Sequence, residues 1–402
     1  MTRGRDTTET GRPFAVRGRL TVDGSLVPGA VVVEGGTITA VSQGTIADGD
    51  LPSDIREASI IAPGLIDLQV NGGFGVEVGA DAGSLRHLSA RLPSTGVTGF
   101  LPTLVSSPPD LYPRAFEAFD EARDADGAVP IGFHLEGPFL SPERAGAHRL
   151  QTVREASDGV IDVWLAAGSV RVVTLAPERE GAGERITRLR EHGIVVSLGH
   201  TNASYDAFRG GVDHGATMAT HLFSAMSPFL HRSPGAVGAV LVDDRVTAGL
   251  IVDGIHSHPA SVRLAIRVKG TERIALVTDA IAGAGASPGA YQIGGQDIVV
   301  DATSARLPDG TLAGSVLTLD QAVRNAVTMG GASPAEALRM ASEVPARVLG
   351  LTQKGRLIAG GDADLALFDE HLAVVATCGR GRWLFRRKSA AAAPPTRPPS
   401  HA

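Results

Sequence analysis

Four ionisable side chains, Glu136, His200, His221 and Asp279, each stand at the end of a run of apolar residues. Glu136 follows Phe133-His134-Leu135, and His200 follows Val195-Val196-Ser197-Leu198-Gly199. His221 follows Met218-Ala219-Thr220, and Asp279 follows Ala275-Leu276-Val277-Thr278. One carboxylate and two imidazoles form a suitable three-ligand set for a catalytic divalent ion whose open position holds water. Asp279 completes the constellation as a second carboxylate, with an ion pair or a cap at the strand end as its structural alternative. A lone histidine in a chain of 402 residues is more often structural or at the surface. His87, His192, His214, His258, His371 and His401 are read that way. What lifts the other residues is their shared position at strand-like ends. His134 precedes Glu136 by two residues and faces the same side of a strand. It is read as an inward-facing support for the site, with direct metal ligation as the alternative.

The elements that must position these residues recur through the middle of the chain. Apolar, strand-like runs fall at 64–70, 97–104, 129–135, 170–175, 194–198, 216–220, 247–252 and 274–278. Helical periodicity separates most of them, as at 84–92, 115–123, 184–192 and 260–269. Strands apolar on both faces that alternate with helices indicate a parallel sheet. Eight such units predict a (β/α)8 TIM-like barrel over 62–344, in which the C-terminal strand ends converge at the active-site mouth. A doubly wound sheet is the alternative, but no Gly-x-Gly-x-x-Gly turn follows a first strand. Residues 14–22, 30–41, 365–368, 373–377 and 383–385 are β-rich and punctuated by Gly and Asp. Neither terminal set is long enough to build its own core. The expectation is a small β-sandwich domain assembled from 13–61 and 345–388. The extension 1–12 and the Pro/Ala-rich tail 389–402 are expected to be disordered.

Composition narrows the class. With 43% hydrophobic residues the chain can bury a large core. Its net charge of −6 and the absence of any basic block beyond Arg386-Arg387-Lys388 give no nucleic-acid footprint. The single cysteine, Cys378, excludes an internal disulfide and a cysteine-based zinc finger. No apolar run approaches a membrane span, and residues 1–12 lack the apolar stretch of a secretory signal. A cytoplasmic protein is expected, with neither nucleic acid nor membrane as partner.

Beyond these patterns the motifs resemble a known family. Pro63-Gly64-Leu65-Ile66-Asp67 looks like the opening of the amidohydrolase superfamily, where a His-x-His pair usually follows; here Gln69 and Asn71 occupy those positions. Gln69-Val70-Asn71-Gly72-Gly73, His134-Leu135-Glu136-Gly137-Pro138-Phe139 and Ser197-Leu198-Gly199-His200-Thr201-Asn202 add to the resemblance. So do Thr220-His221-Leu222, Asp253-Gly254-Ile255-His256 and Thr278-Asp279-Ala280. Together, from Pro63 to Leu349, they resemble the N-acetylglucosamine-6-phosphate deacetylases within that superfamily.

The resemblance implies hydrolysis of the acetamide of N-acetyl-D-glucosamine 6-phosphate to D-glucosamine 6-phosphate and acetate, in amino-sugar catabolism and cell-wall sugar recycling. It implies Glu136, His200 and His221 as ligands of one divalent ion per chain, zinc foremost, with iron, manganese and cobalt also suited to the set. Gln69 and Asn71, replacing second-metal ligands, would join His134 as supporting residues. Asp279 would be the general acid/base and His256 a contact to the acetyl carbonyl. Ala147, His148, Ala225, Asp253 and Leu312-Ala313-Gly314 match substrate-lining positions. Arg232 matches an arginine that reaches the phosphate from a neighbouring subunit, which implies a homodimer or a tetramer. One departure is Ser224 in His221-Leu222-Phe223-Ser224-Ala225-Met226, where the family usually has Asn; a side-chain amide near the phosphate is absent. The alternatives are another amidohydrolase-fold deacetylase or cyclic-amide hydrolase acting on a different N-acyl substrate, and a catalytically silent barrel that serves in binding.

Overall fold

The structure is a computed structural model that describes residues 12–388. The expected disordered tail, and all but the last residue of the expected N-terminal extension, lie outside the described residues.

The chain opens with strands β1 (Phe14–Val22), β2 (Ser25–Glu34), β3 (Thr37–Gln43) and β4 (Ile55–Pro63). Eight parallel strands then build the barrel: β5 (Leu65–Val70), β6 (Val97–Val105), β7 (Phe133–Glu136), β8 (Val170–Leu175), β9 (Val195–Leu198), β10 (Met218–Ala219), β11 (Thr247–Leu250) and β12 (Ile274–Leu276). They lie in sequence order across the sheet. After β12 comes a three-stranded antiparallel insert, β13 (Gly289–Ile293), β14 (Gln296–Val300) and β15 (Ala305–Arg306). The chain returns to the first sheet through β16 (Leu365–Phe368), β17 (Val374–Gly379) and β18 (Arg382–Arg386).

The terminal strands form one seven-stranded sheet, ordered β18-β17-β16-β4-β1-β2-β3. Phe14 on β1 and Trp383 on β18 are four strands apart, yet their ring centroids lie 5.3 Å from one another. Strands spaced nearly 5 Å apart would hold these rings much farther apart in a flat sheet, so the sheet curls over its own core. Val16, Val31, Leu365 and Cys378 share that core. The two termini therefore make one body, as their insufficient individual length predicts.

The barrel sheet has no ladder between β12 and β5. Side chains and the segments that continue the strands close it. Thr278 donates its hydroxyl to Asp67 Oδ2 at 2.6 Å and its N–H to Oδ1 at 3.2 Å. The N–H groups of Asn71 and Gly72 donate to the Ala280 carbonyl at 2.8 and 3.0 Å. Burial pushes the Asp67 carboxyl up to about 7, against the hydrogen bonds from Thr278. This latch joins the first strand to the segment that carries Asp279.

Two differences from the sequence reading bear on the site. The expected third strand is broken: 129–130 pairs separately, and β7 starts only at Phe133. Gly132 has φ +149° and would press a Cβ to 2.6 Å from the Ser169 carbonyl oxygen, so this close approach needs glycine. The insert β13–β15 was not expected. It has its own small core of Ile281, Ile293, Ile298, Val300, Ala305 and Ala313, and it overhangs the strand ends, because Ile293 and Arg306 line the cavity there.

Candidate metal centre and substrate cavity

The strand ends bring Glu136, His200, His221 and Asp279 into one cavity of about 570 Å³. All four are buried. Glu136 Oε1 lies 3.0 Å from His221 Nε2 and 3.3 Å from His200 Nε2, and the two imidazole nitrogens are 3.1 Å apart. Three donor atoms thus converge on one point. His200, His221 and Asp279 also have positive φ, at +46°, +29° and +50°. Each such conformation costs about 1–3 kcal/mol in a residue with a side chain, and such strain concentrates at functional sites. Here it turns each side chain inward just beyond its strand.

Hydrogen-bond partners distinguish the imidazoles. His200 Nδ1 faces the Arg144 carbonyl at 2.8 Å. A carbonyl only accepts, so Nδ1 carries the hydrogen and Nε2 offers its lone pair to the cluster. His221 Nδ1 is buried without a partner, and its Nε2 points at Glu136. His148 also comes close, since donor atoms of Glu136, His148 and His200 all lie within 4.8 Å of one another. Proximity alone would make it a ligand. Its Nδ1, however, accepts the Ser106 N–H at 3.1 Å. Burial first, and then the neighbouring His200, push His148 down to about 3, so the ring is neutral and Nε2 bears the hydrogen. That nitrogen, 3.7 Å from Glu136 Oε2, can donate but not ligate. The donor set of Glu136, His200 and His221 is therefore compatible with one divalent ion.

Gln69 and Asn71 turn towards the carboxylates. The Gln69 amide donates to Glu136 Oε1 at 2.9 Å and to Asp279 Oδ1 at 3.0 Å, and Asn71 donates to the same Oδ1 at 2.7 Å. Asp279 Oδ1 thus receives two N–H groups, which leaves Oδ2 as the less committed oxygen. Burial, and then the charge of Glu136, raise Asp279 to about 6. A bound cation would draw that value down again.

Most of the remaining residues singled out in the sequence reach the cavity. Ala147, His148, Ser224, Ala225, His256, Leu312 and Gly314 line it. Three do not. Ala313 is buried in the core of the insert. Asp253 is committed to His256, accepting the ring Nδ1–H at 2.7 Å and the backbone N–H at 2.8 Å. Burial opposes charge on Asp253, but the His256 ring and the backbone N–H groups of Ile255 and His256 outweigh it and hold the carboxyl below its usual range. Arg232 is exposed and absent from the cavity of its own chain. His134 lies beneath the cluster, fully buried, and burial keeps it neutral by pushing it down to about 4.

Ser106, Arg144, Arg306 and Thr311 were missed by sequence reasoning. Arg144, Arg306 and Thr311 line the cavity, and Ser106 orients His148. Only Ser106 carried a usable signal, since it follows the end of the second barrel strand.

Known proteins resemble this chain in sequence and in fold. Residues 60–390 match the model of the amidohydrolase family. The N-acetylglucosamine-6-phosphate deacetylase of Homo sapiens is 42% identical over 348 residues, covering 82% of this chain and 85% of the relative. The N-acetylgalactosamine-6-phosphate deacetylase of Escherichia coli O157:H7 is 39% identical over 325 residues, covering 79% and 86%. Among solved structures, a mutant N-acetyl-D-glucosamine-6-phosphate deacetylase from Mycobacterium smegmatis, in complex with N-acetyl-D-glucosamine-6-phosphate, superposes with a TM-score of 0.87. It is 37% identical, and the match covers 93% of this chain and 100% of that one.

Proposed function

The chain belongs to the amidohydrolase family and is a hydrolytic deacetylase, and we propose that it removes the acetyl group from N-acetyl-D-glucosamine 6-phosphate with the help of one divalent ion. The observation that carries this reading is the convergence of Glu136 Oε1, His200 Nε2 and His221 Nε2 beside Asp279. Those three residues would hold the ion, which supplies the Lewis acidity that brings a water molecule near ionisation at neutral pH.

The chain's own groups do the rest. Asp279 takes the water's proton on Oδ2, because Oδ1 is engaged by Gln69 and Asn71. It then returns the proton to the departing sugar nitrogen, which leaves poorly as an anion. His148 presents its Nε2–H to the carbonyl oxygen as charge develops there. The family resemblance implies His256 for that contact, and both rings line the cavity, so we propose His148 as a second donor beside it. Asp253 holds the His256 ring through Nδ1 at 2.7 Å. Zinc is the metal we propose, with the sugar phosphate processed inside the cell in amino-sugar breakdown and recycling.

The competing reading is the 4-epimer, for which one relative is named. Comparing kcat/KM on N-acetylglucosamine 6-phosphate, its galacto epimer and unphosphorylated N-acetylglucosamine separates them. We expect the order gluco phosphate, galacto phosphate, free sugar. Preference for the galacto phosphate would reassign the substrate, and indifference to the phosphate would remove the phosphate subsite.

Arg232 belongs to the same proposal. It is exposed, and beside it Phe229 and Leu230 are 57% and 58% exposed. An apolar patch carrying a cation suits the surface of a second copy of the chain, so we propose a homodimer in which Arg232 reaches the partner's phosphate subsite. Arg232→Ala should raise KM for the phosphorylated sugar by roughly 10- to 150-fold, the loss of one charged hydrogen bond of about 1.5–3 kcal/mol. Mixing Arg232→Ala chains with Asp279→Asn chains should partly restore activity, because some mixed dimers regain one complete site. No recovery despite proven subunit exchange would confine Arg232 to its own chain or exclude it from the site.

A further inference from the structure

Beneath the ligand cluster lies a continuous line of buried polar groups that the mechanism leaves unused. His134 Nδ1 faces the Leu68 carbonyl at 3.0 Å, and its Nε2 faces the Thr174 hydroxyl at 2.7 Å. Thr174 Oγ1 is 2.7 Å from Thr220 Oγ1, which is 2.6 Å from Ser197 Oγ. All four side chains are fully buried. The direction of the chain is fixed from one end. The Leu68 carbonyl must accept, so Nδ1 carries the hydrogen of the neutral ring and Nε2 accepts from Thr174. Thr174 in turn accepts from Thr220, and Thr220 accepts from Ser197.

The route crosses the strands that bear the ligands. His134 shares β7 with Glu136, Ser197 lies on β9 three residues before His200, and Thr220 directly precedes His221. Thr174 sits opposite Glu136 in the β7–β8 register. Packing makes the same junction tight. A Cβ on Gly199, next to His200, would lie 2.7 Å from Thr220 Cβ and 3.1 Å from Thr174 Cγ2. These backbones therefore meet across the hydroxyls, with no bulk available to replace them.

We propose that the line His134–Thr174–Thr220–Ser197 is a positioning device that sets the spacing of Glu136, His200 and His221 and thereby the affinity and geometry of the metal centre. Hydrogen-bonded groups that orient ligands typically carry 10- to 100-fold in metal affinity. Purely structural packing would instead change stability and leave the coordination unchanged.

The test uses the full chain, stripped of metal and titrated with zinc against a chelator, and with cobalt(II) read by its visible absorption. Thr174→Val keeps the shape but leaves His134 Nε2 without a donor and the Thr220 hydroxyl without its acceptor. We expect zinc binding weaker by about 10-fold or more, an altered cobalt band, and near-complete restoration of both by Thr174→Ser. A folded Thr174→Val protein with parental affinity and spectrum would overturn the proposal. If that variant does not fold, Ser197→Ala, which removes only the terminal donor, carries the test: a changed cobalt spectrum supports the device, and parental spectrum and affinity sink it. The inference rests on Glu136, His200 and His221 as the ligand set. A parent protein that binds no ion would refute that reading itself, a result distinct from equal binding by parent and variant.

Discussion

Asp279→Asn lowers kcat by about 10²–10⁴-fold while the protein keeps its metal, the effect expected when a group that both accepts and returns a proton is removed. Asparagine fills the same space and still offers an oxygen to Gln69 and Asn71, so the hydrogen bonds at Oδ1 can survive. What it lacks is a basic oxygen in place of Oδ2. KM should move little, because the lost step occurs after binding. Steady-state kinetics with metal content measured on the same preparation checks both halves. A variant with near-parental kcat would take Asp279 out of the mechanism, and one that loses its ion would make it a ligand.

The second large effect separates three imidazoles that crowd one site. His200→Asn and His221→Asn should lose the ion and reduce turnover to background, since each removes a donor atom from the set of three. His148→Asn should keep the ion. It should still lose about 10²–10³-fold in kcat, the cost of one donor to a developing oxyanion. The contrast follows from hydrogen-bond direction: His200 donates Nδ1–H to a carbonyl, while His148 accepts a backbone N–H at Nδ1. Elemental analysis of the three variants decides it. Metal loss in His148→Asn together with retention in His200→Asn would reverse the assignment.

The barrel and the convergence of Glu136, His200, His221 and Asp279 were legible because both depend on local pattern. A strand covered on both faces reads as an apolar run, and a polar residue that ends the run marks the strand end. Glu136, His200, His221 and Asp279 all carry that signature. Pairing of the two termini could likewise be read, because neither set of short strands could bury a core alone.

Other features had no local sign. Strands β13 to β15 are short and partly exposed, with Tyr291, Gln292, Gln296 and Asp297 breaking any apolar run, so the insert that brings Arg306 and Thr311 to the cavity went unseen. The break before β7 depends on how closely Gly132 approaches Ser169, a contact 37 residues away in sequence. The hydrogen-bond direction that separates His148 from His200 depends on the Ser106 backbone, which sequence spacing does not encode. The positive φ at His200, His221 and Asp279 is equally invisible, because all three are ordinary residues forced into that conformation by the structure around them.

One measurement tests the central claim most directly: acetate release from N-acetylglucosamine 6-phosphate by protein stripped of metal and given zinc in small increments. Activity should be near background in the stripped protein, rise in proportion to added zinc, and level off at about one equivalent per chain, the capacity of one three-donor site. Full activity in rigorously metal-free protein, a plateau only at two equivalents, or no acetate at any loading would contradict it.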